Sequence, residues 1–207
     1  GLSYGGSLAR PEATGYGLCY FTNKMMQVMK NDSFKGKKVV ISGSGNVAMY
    51  ALQKATSLGA TVVAMSDING YIYDPNGLDV DFIKEVSELN GECTKQYKEK
   101  YPNVINGDNT HDIWKVPCDI ALPCATQNEI NLEDAKALYA NGCYMLVEGA
   151  NMPTELEAVR YLEKNGVLFA PGKASNAGGV AVSGLEMTQN AMHINWTYEE
   201  VDAKLQD

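Results

Sequence analysis

The chain has 207 residues, of which 45% are hydrophobic, and this is enough for one domain with a sizeable core. Its formal net charge of −8 and its lack of a basic cluster argue against nucleic acid and anionic membranes as partners. Five cysteines without C-x-x-C spacing predict reduced core thiols in a cytoplasmic protein, and two isolated histidines lead us to expect no metal site. No stretch approaches the ~20 apolar residues of a membrane span, and we recognise no signal peptide.

The first part of the chain, residues 1–36, is interpreted as a lead-in loop and helix. Residues 1–7 have loop composition. A helix is predicted from Arg10 to about Lys30, because Pro11 suits a first turn and Glu12 lies at the positive end of the helix. A helix before the first strand is not part of a minimal α/β unit, so we expect it to carry the chain in from a preceding domain.

The pattern around which the chain is organised is a strand, a glycine turn and a helix in succession. Residues 38–42 are a β-branched run typical of a buried parallel strand, and residues 49–58 carry apolar residues at helical spacing. Between them, Gly43-Ser44-Gly45-Asn46-Val47-Ala48 has the G-x-G-x-x-A spacing of a dinucleotide-binding turn. Gly43 would permit the tight turn, and Gly45 would let a pyrophosphate approach the backbone at the helix N-terminus. A glycine turn without a ligand is the alternative.

An acidic residue follows the second predicted strand. Residues 61–65 form this strand, and Ser66-Asp67 comes next, near the ~20-residue offset at which an acid contacts the adenosine ribose. A carboxylate at this place accepts hydrogen bonds from the ribose 2′-hydroxyl and repels a 2′-phosphate. From the residues alone, Asp67 therefore favours NAD.

The remaining elements alternate along the chain. Residues 68–77 contain two turn signals and predict a hairpin or small excursion at the sheet edge. Asp79 is the expected N-cap of a helix to Leu89, and the charged residues 94–100 predict a short solvent-facing helix. Three further strands, at 119–123, 143–147 and 167–170, alternate with helices at 133–139, 154–164 and 177–195. This alternation predicts an α/β fold, a Rossmann-like open twisted parallel sheet with helices on both faces.

Ligands of such sheets bind beyond the carboxyl ends of the strands. The residues that follow each predicted strand are small, polar or glycine-rich, which is unusual for loops that only connect elements. They are residues 43–47, 66–67, 124–128, 148–151 and 172–176. The last set continues into the glycine-rich segment 177–184, which suits close contact with a ligand.

Five collinear motifs resemble those of the hexameric glutamate dehydrogenases, the NADP-dependent bacterial type in particular. Together they span essentially the whole chain. They are Ser7-Leu8-Ala9-Arg10-Pro11-Glu12-Ala13-Thr14-Gly15-Tyr16-Gly17, Gly43-Ser44-Gly45-Asn46-Val47-Ala48, Leu122-Pro123-Cys124-Ala125-Thr126-Gln127-Asn128, Glu148-Gly149-Ala150-Asn151-Met152-Pro153 and residues 170–180.

The resemblance implies a set of cofactor-binding residues. Thr14 would contact the nicotinamide carboxamide, and Asn151 would lie near the nicotinamide ribose. Ala125 and Thr126 would line the nicotinamide side. The whole implied set is Thr14, Gly43, Ser44, Gly45, Asn46, Val47, Ser66, Asp67, Ala125, Thr126 and Asn151.

The resemblance also implies that Asn176, Val180 and Ser183 supply part of the pocket for the glutamate side-chain carboxylate. From the residues alone, Ser183 could instead be a helix serine bonded to its own backbone, and Asn176 could be the N-cap of the next helix. Lys173 follows a strand, and we expect it to hold its loop rather than to act in catalysis.

The function implied by the resemblance is reversible oxidative deamination of L-glutamate to 2-oxoglutarate and ammonia, with NADP preferred and NAD possible. No catalytic residue is expected in this chain, because the family's catalytic lysine and aspartate lie in an N-terminal domain whose motifs do not occur here. Residues 1–207 are therefore interpreted as a single dinucleotide-binding domain excised from a longer two-domain enzyme, with a truncated C-terminal helix at 196–207. The full-length enzyme would be a homohexamer.

Two alternatives stay open. One is a branched-chain or aromatic amino-acid dehydrogenase of the same superfamily, which Ser183 disfavours because an apolar side-chain pocket has no use for a hydroxyl. The other is a nucleotide-binding module without catalysis. The cofactor is open as well, because Asp67 alone favours NAD whereas the resembling bacterial enzymes with Ser-Asp at this position use NADP.

Overall fold

The computed structural model describes residues 10–90 and 92–175, and a seven-stranded sheet forms their centre. The order of the strands across the sheet is β4-β3-β2-β1-β5-β6-β7. In chain order, the strands are β1 Lys38–Ser42, β2 Thr61–Asp67, β3 Gly70–Tyr73, β4 Ile105–Gly107, β5 Ile120–Pro123, β6 Met145–Val147 and β7 Leu168–Ala170.

Five of the strands form the predicted parallel sheet. β1 pairs with β2 on one side and with β5 on the other, and β6 and β7 extend the sheet beyond β5, all in parallel. Every residue of β5 and β6 is buried, as expected for strands covered on both faces. The predicted Rossmann-like arrangement is therefore confirmed for this part of the sheet.

The other edge of the sheet adds two antiparallel strands to the predicted parallel sheet. β3 returns antiparallel to β2 through a tight turn in which Asp67 pairs with Gly70. β4 is antiparallel to β3 in turn, so the sheet is mixed. The predicted hairpin at the edge is confirmed, whereas neither β4 nor the 3₁₀ helix Thr110–Lys115 was predicted.

Helices cover both faces of the sheet. They are α1 Arg10–Lys30, α2 Asn46–Ser57, α3 Val80–Asn90, α4 Cys93–Lys100, α5 Leu132–Ala140, α6 Leu156–Lys164 and α7 Gly172–Ser175. The side chains of a strand point alternately to opposite faces, so Val39 and Ile41 pack in a core with α1, α2, α3 and α4. Val40 packs on the other face with α5, α6 and the 3₁₀ helix.

One prediction about the helices is wrong in part. The charged segment 94–100 was expected to be wholly solvent-facing, but Cys93, Thr94 and Tyr97 of α4 are buried. The hydroxyl of Tyr97 accepts a hydrogen bond from the backbone N–H of Asp79, just before α3. The helix therefore exposes its lysines and packs its other face against the sheet.

Some predicted elements lie outside the described residues. These are the lead-in loop, the helix at 177–195 and the C-terminal helix at 196–207. Within the described part, none of the helices is both long and apolar enough to cross a membrane.

Candidate functional site

A cavity of about 320 Å³ lies at the carboxyl ends of β1, β2 and β5. It brings together seven of the predicted cofactor-binding residues, from three separate parts of the chain: Gly43, Ser44, Gly45, Ser66, Asp67, Ala125 and Thr126. Its remaining lining comes from Ser42, Ile68, Thr110, His111, Ile113, Trp114, Cys124 and Glu129. The position agrees with the general rule for ligands of open parallel sheets.

The two glycines of the turn are required for different reasons. Gly43 has a φ of +92°, and a Cβ added to it would lie 3.0 Å from the carbonyl oxygen of Cys124. A side chain at Gly43 is therefore excluded by the fold itself. Gly45 has a φ of −79°, and a Cβ there would meet nothing within 4 Å. Protein packing does not explain Gly45, but a ligand in the open space beside it would.

The start of α2 carries an uncompensated positive end. Its N-cap is Gly45, which has no side chain to bond the first N–H groups. In the described structure, no acidic residue lies in the first turn of α2. Free N–H groups and the helix dipole at such an end attract anions, and phosphate above all. The turn is chemically suited to a pyrophosphate.

Ser66 holds this turn from the neighbouring strand. The Oγ atom of Ser66 accepts a hydrogen bond of 3.2 Å from the backbone N–H of Gly43, and Ser66 itself is buried. The predicted role of Ser66 at the cofactor is thus accompanied by a structural one. It fixes the spacing of β1 and β2 where the cavity opens.

Asp67 has its carboxylate engaged within the protein. Its Oδ1 atom accepts hydrogen bonds from the Thr94 hydroxyl at 2.7 Å and from the Asn69 backbone N–H at 2.8 Å. Its Oδ2 atom accepts one from the Thr94 backbone N–H at 2.9 Å. Asp67 is 7% exposed. It lines the cavity, but its carboxylate already accepts three hydrogen bonds within the protein.

A buried glutamate that the sequence analysis did not single out holds the loop after β5. The Oε1 atom of Glu129 accepts a hydrogen bond of 2.5 Å from the Ser42 hydroxyl, and its Oε2 atom accepts one of 3.1 Å from the Thr126 N–H. The Ser42 oxygen also accepts from the Cys124 N–H at 3.0 Å. Burial raises the pKa of Glu129. Ser42 and Glu129 together position Ala125 and Thr126.

His111 also borders the cavity and was missed. It lies in the 3₁₀ helix, and its Nδ1 atom is 3.3 Å from Oδ2 of Asp134 at the start of α5. Asp134 also forms a capping box with Asn131. Only an isolated histidine marked this position in the sequence, and its partner lies 23 residues away.

The loop after β6 lies against the end of β5. Glu148 is buried and accepts hydrogen bonds from the N–H groups of Thr154 at 3.1 Å and Gly172 at 3.0 Å. A Cβ on Gly149 would lie 2.5 Å from Sγ of Cys124, so any larger residue would have to displace the Cys124 side chain. The structure thus presents Asn151, exposed, on a loop fastened to two neighbouring strands.

The remaining predicted residues lie elsewhere. Asn46 borders a second cavity of about 430 Å³, which it shares with Ser44. Thr14 is half-buried on α1, next to Gly15, whose added Cβ would lie 2.9 Å from the carbonyl oxygen of Val47. The first cavity is not lined by four of the predicted cofactor-binding residues: Thr14, Asn46, Val47 and Asn151.

The three predicted substrate-pocket residues lie outside the described part of the chain. They are Asn176, Val180 and Ser183. Among the residues described, no group of three or more metal-ligating side chains is found.

Comparison with known proteins finds relatives that are named glutamate dehydrogenases. The chain is 54% identical to the NADP-specific glutamate dehydrogenase of Haemophilus influenzae, across 99% of this chain and 46% of that protein. It is 52% identical to the NAD(P)-specific glutamate dehydrogenase of Xylanibacter ruminicola, with the same coverage of 99% and 46%. It therefore spans less than half the length of these relatives.

The fold agrees as well. The crystal structure of Plasmodium falciparum glutamate dehydrogenase superposes with a TM-score of 0.92 at 42% identity, covering 100% of this chain and 44% of that one. The family model for Glutamate/Leucine/Phenylalanine/Valine dehydrogenase matches residues 5–207. Because this match extends over nearly the whole sequence, the chain belongs to the Glutamate/Leucine/Phenylalanine/Valine dehydrogenase family.

Proposed function

We propose that this chain is the cofactor-binding domain of a glutamate dehydrogenase that catalyses the reversible oxidative deamination of L-glutamate to 2-oxoglutarate and ammonia. The observation that carries the proposal is the start of α2. There an uncapped helix end and the open space at Gly45 face the carboxyl ends of the parallel strands. A dinucleotide pyrophosphate fits both features, and the family membership supports the reaction.

The residues present fit NADP or NAD, which when bound would accept a hydride from the substrate Cα. The N–H groups at the start of α2, around Asn46 and Val47, would hold the pyrophosphate. Ala125 and Thr126 would line the nicotinamide side, in the conformation that Glu129 imposes on their loop. Thr14 and Asn151 would complete the nicotinamide end. This domain would bind and orient, while a lysine elsewhere in the enzyme would supply acid–base catalysis.

The chain would be one domain of a longer two-domain protein, with 1–36 as its lead-in and 196–207 as part of a C-terminal helix. The greater length of the relatives supports this division. We propose that the complete enzyme is a cytoplasmic homohexamer. Five free and buried thiols support the reducing compartment.

The substrate proposal depends on Ser183, with Val180 and Asn176, at the pocket for the glutamate side-chain carboxylate. The family also contains leucine, phenylalanine and valine dehydrogenases, for which a hydroxyl at this place would be of no use. In the complete enzyme, Ser183→Ala should raise the KM for glutamate. An unchanged KM would count against glutamate as the substrate.

For the cofactor we propose NADP as the preferred form, with NAD also bound. The relatives that support this proposal are named NADP-specific and NAD(P)-specific. The deciding measurement is isothermal titration of NADP and NAD into the 207-residue chain and into the complete enzyme, together with glutamate turnover by each. We expect weak binding of both cofactors and no turnover by the isolated chain, and tighter binding with turnover by the complete enzyme. Turnover by the isolated chain would show that a catalytic base lies within it, and a complete enzyme that binds NAD at least as tightly as NADP would refute the stated preference.

A further inference from the structure

Asp67 lies at the place where an acidic residue commonly accepts hydrogen bonds from the adenosine ribose, but its observed contacts are those of a helix cap. Its two oxygens accept three hydrogen bonds, two of them from Thr94. Thr94 is the second residue of α4, and its backbone N–H is one of the donors that a helix start leaves without an intrahelical partner. Asp67 satisfies that donor from β2.

The helix needs this cap because its own N-cap residue does not supply one. Glu92 precedes α4, and its side chain makes no capping hydrogen bond. A carboxylate at a helix N-terminus is stabilised by the dipole as well as by the N–H groups, and the dipole in turn compensates its charge. Asp67 therefore interacts with α4 by charge and by hydrogen bonding.

The same contacts reduce what Asp67 can offer a cofactor. An ionised carboxylate has about four acceptor sites, and three of them are used here. About one acceptor site of the carboxylate, on Oδ2, is therefore left for a ribose 2′-hydroxyl. The next residue, Ile68, is 84% exposed and also lines the cavity, but its side chain has no acceptor. The end of β2 thus offers little to a 2′-hydroxyl and repels a 2′-phosphate only weakly.

We propose that Thr94 determines the cofactor preference of this chain by holding Asp67 as the cap of α4 and away from the ribose. Thr94 is a positioning residue that acts through Asp67. The inference rests on the proposed function, because it concerns which dinucleotide the cavity accepts. It resolves the conflict between an acid at the end of β2 and a preference for NADP.

The test is the ratio of the NADP dissociation constant to the NAD dissociation constant, measured by isothermal titration on the complete enzyme. Thr94→Val keeps the shape and the backbone N–H but removes the hydroxyl that occupies Oδ1 of Asp67. The valine methyl leaves Oδ1 without its hydroxyl donor, so the Asp67 carboxylate would turn towards the cavity that it lines and accept a hydrogen bond from the 2′-hydroxyl of NAD. A hydrogen bond to a charged group is strong enough for us to expect the ratio to rise about tenfold. Thr94→Ser keeps a hydroxyl and is the matched control, for which the ratio should stay within about twofold of the wild type.

Asp67→Asn provides a second, independent variant in case Thr94→Val does not fold. This variant removes the negative charge. If the wild-type carboxylate repels the 2′-phosphate, its removal should shift the preference towards NADP by about tenfold or more. We expect a change in the ratio below about threefold, together with a lower unfolding temperature because α4 loses its charged cap.

The outcomes separate this inference from the proposed function. A wild-type enzyme that binds neither cofactor would refute the proposed function, and the inference with it. A wild-type enzyme that binds both cofactors, with an unchanged ratio in Thr94→Val or a tenfold shift towards NADP in Asp67→Asn, would overturn the inference alone.

Discussion

Replacing Gly45 by serine should weaken cofactor binding strongly and leave the stability of the fold nearly unchanged. Gly45 is the N-cap of α2, with φ −79° and ψ −174°, an extended conformation that serine adopts readily. Its Cβ would enter open space, so no protein atom has to move. Serine is the better N-cap by a few tenths of a kcal/mol, so the free energy of unfolding should stay the same or rise slightly.

The loss of affinity follows because the new side chain would occupy an N–H group that is expected to bind the pyrophosphate. The serine Oγ would accept a hydrogen bond from an N–H group of the first turn and occupy space beside the helix end. Hydrogen bonds to charged groups contribute about 1.5–3 kcal/mol, so losing one phosphate contact corresponds to a decrease in affinity of about 10- to 100-fold. NADP and NAD should be affected alike, because they share the pyrophosphate.

The assay is isothermal titration of both cofactors, accompanied by denaturant unfolding of each variant. Glu155→Ser is the matched control, because Glu155 is the exposed N-cap of α6, is also extended, and likewise makes no side-chain capping bond. That variant should bind cofactor as the wild type does. Unchanged affinity in Gly45→Ser, or an equal loss in Glu155→Ser, would refute the assignment of the pyrophosphate to the start of α2.

Three further predictions concern packing, pH and assembly. Gly15→Ala should lower the free energy of unfolding by about 1–3 kcal/mol in denaturant titrations. The new Cβ would lie 2.6 Å from Cβ of Tyr50 and force α1 away from α2. An unchanged free energy of unfolding would contradict the observed spacing of these two helices. Burial raises the pKa of Glu129 in the folded chain. The contribution of this carboxyl group to the free energy of unfolding is therefore fully present below the ordinary glutamate pKa, and it is lost as the pH rises through the raised pKa of the folded chain. Wild type should therefore lose stability relative to Glu129→Gln in unfolding experiments as the pH rises above the ordinary glutamate pKa of about 4.3, and a constant difference would show that the pKa of Glu129 is not raised. Light scattering of the isolated chain should give a monomer or weak dimer, and a stable hexamer would place the subunit contacts in this domain.

The parallel part of the fold could be predicted because its signal is local. The runs at 38–42 and 61–65 are apolar and β-branched, and the structure places both in the buried centre of the sheet. β4 could not be predicted, because Ile105, Asn106 and Gly107 are too few and too polar for a strand signal. Such a strand forms only because β3 offers it a free edge.

The candidate site likewise has features that depend on neighbouring residues, which could be predicted, and features that depend on residues far along the chain, which could not. The glycine turn was evident from its spacing, whereas the partners of Glu129 and Asp67 lie far along the chain. Ser42 is 87 residues from Glu129, and Thr94 is 27 residues from Asp67. A single sequence shows which side chains are acidic, but the fold decides whether an acid faces a ligand or another helix.

The burial of the cysteines has a consequence for measuring how this chain opens. All five thiols are free and buried, and burial raises the pKa of Cys19 and of Cys93 to about 12. The thiolate, not the thiol, attacks an alkylating reagent, so the folded chain should react extremely slowly and labelling should record transient opening. Cys124 follows the carboxyl end of β5, whereas Cys118 precedes its amino end. Pulsed alkylation read out by mass spectrometry would therefore time the opening of the two ends of one strand separately, and show whether the cofactor edge opens first.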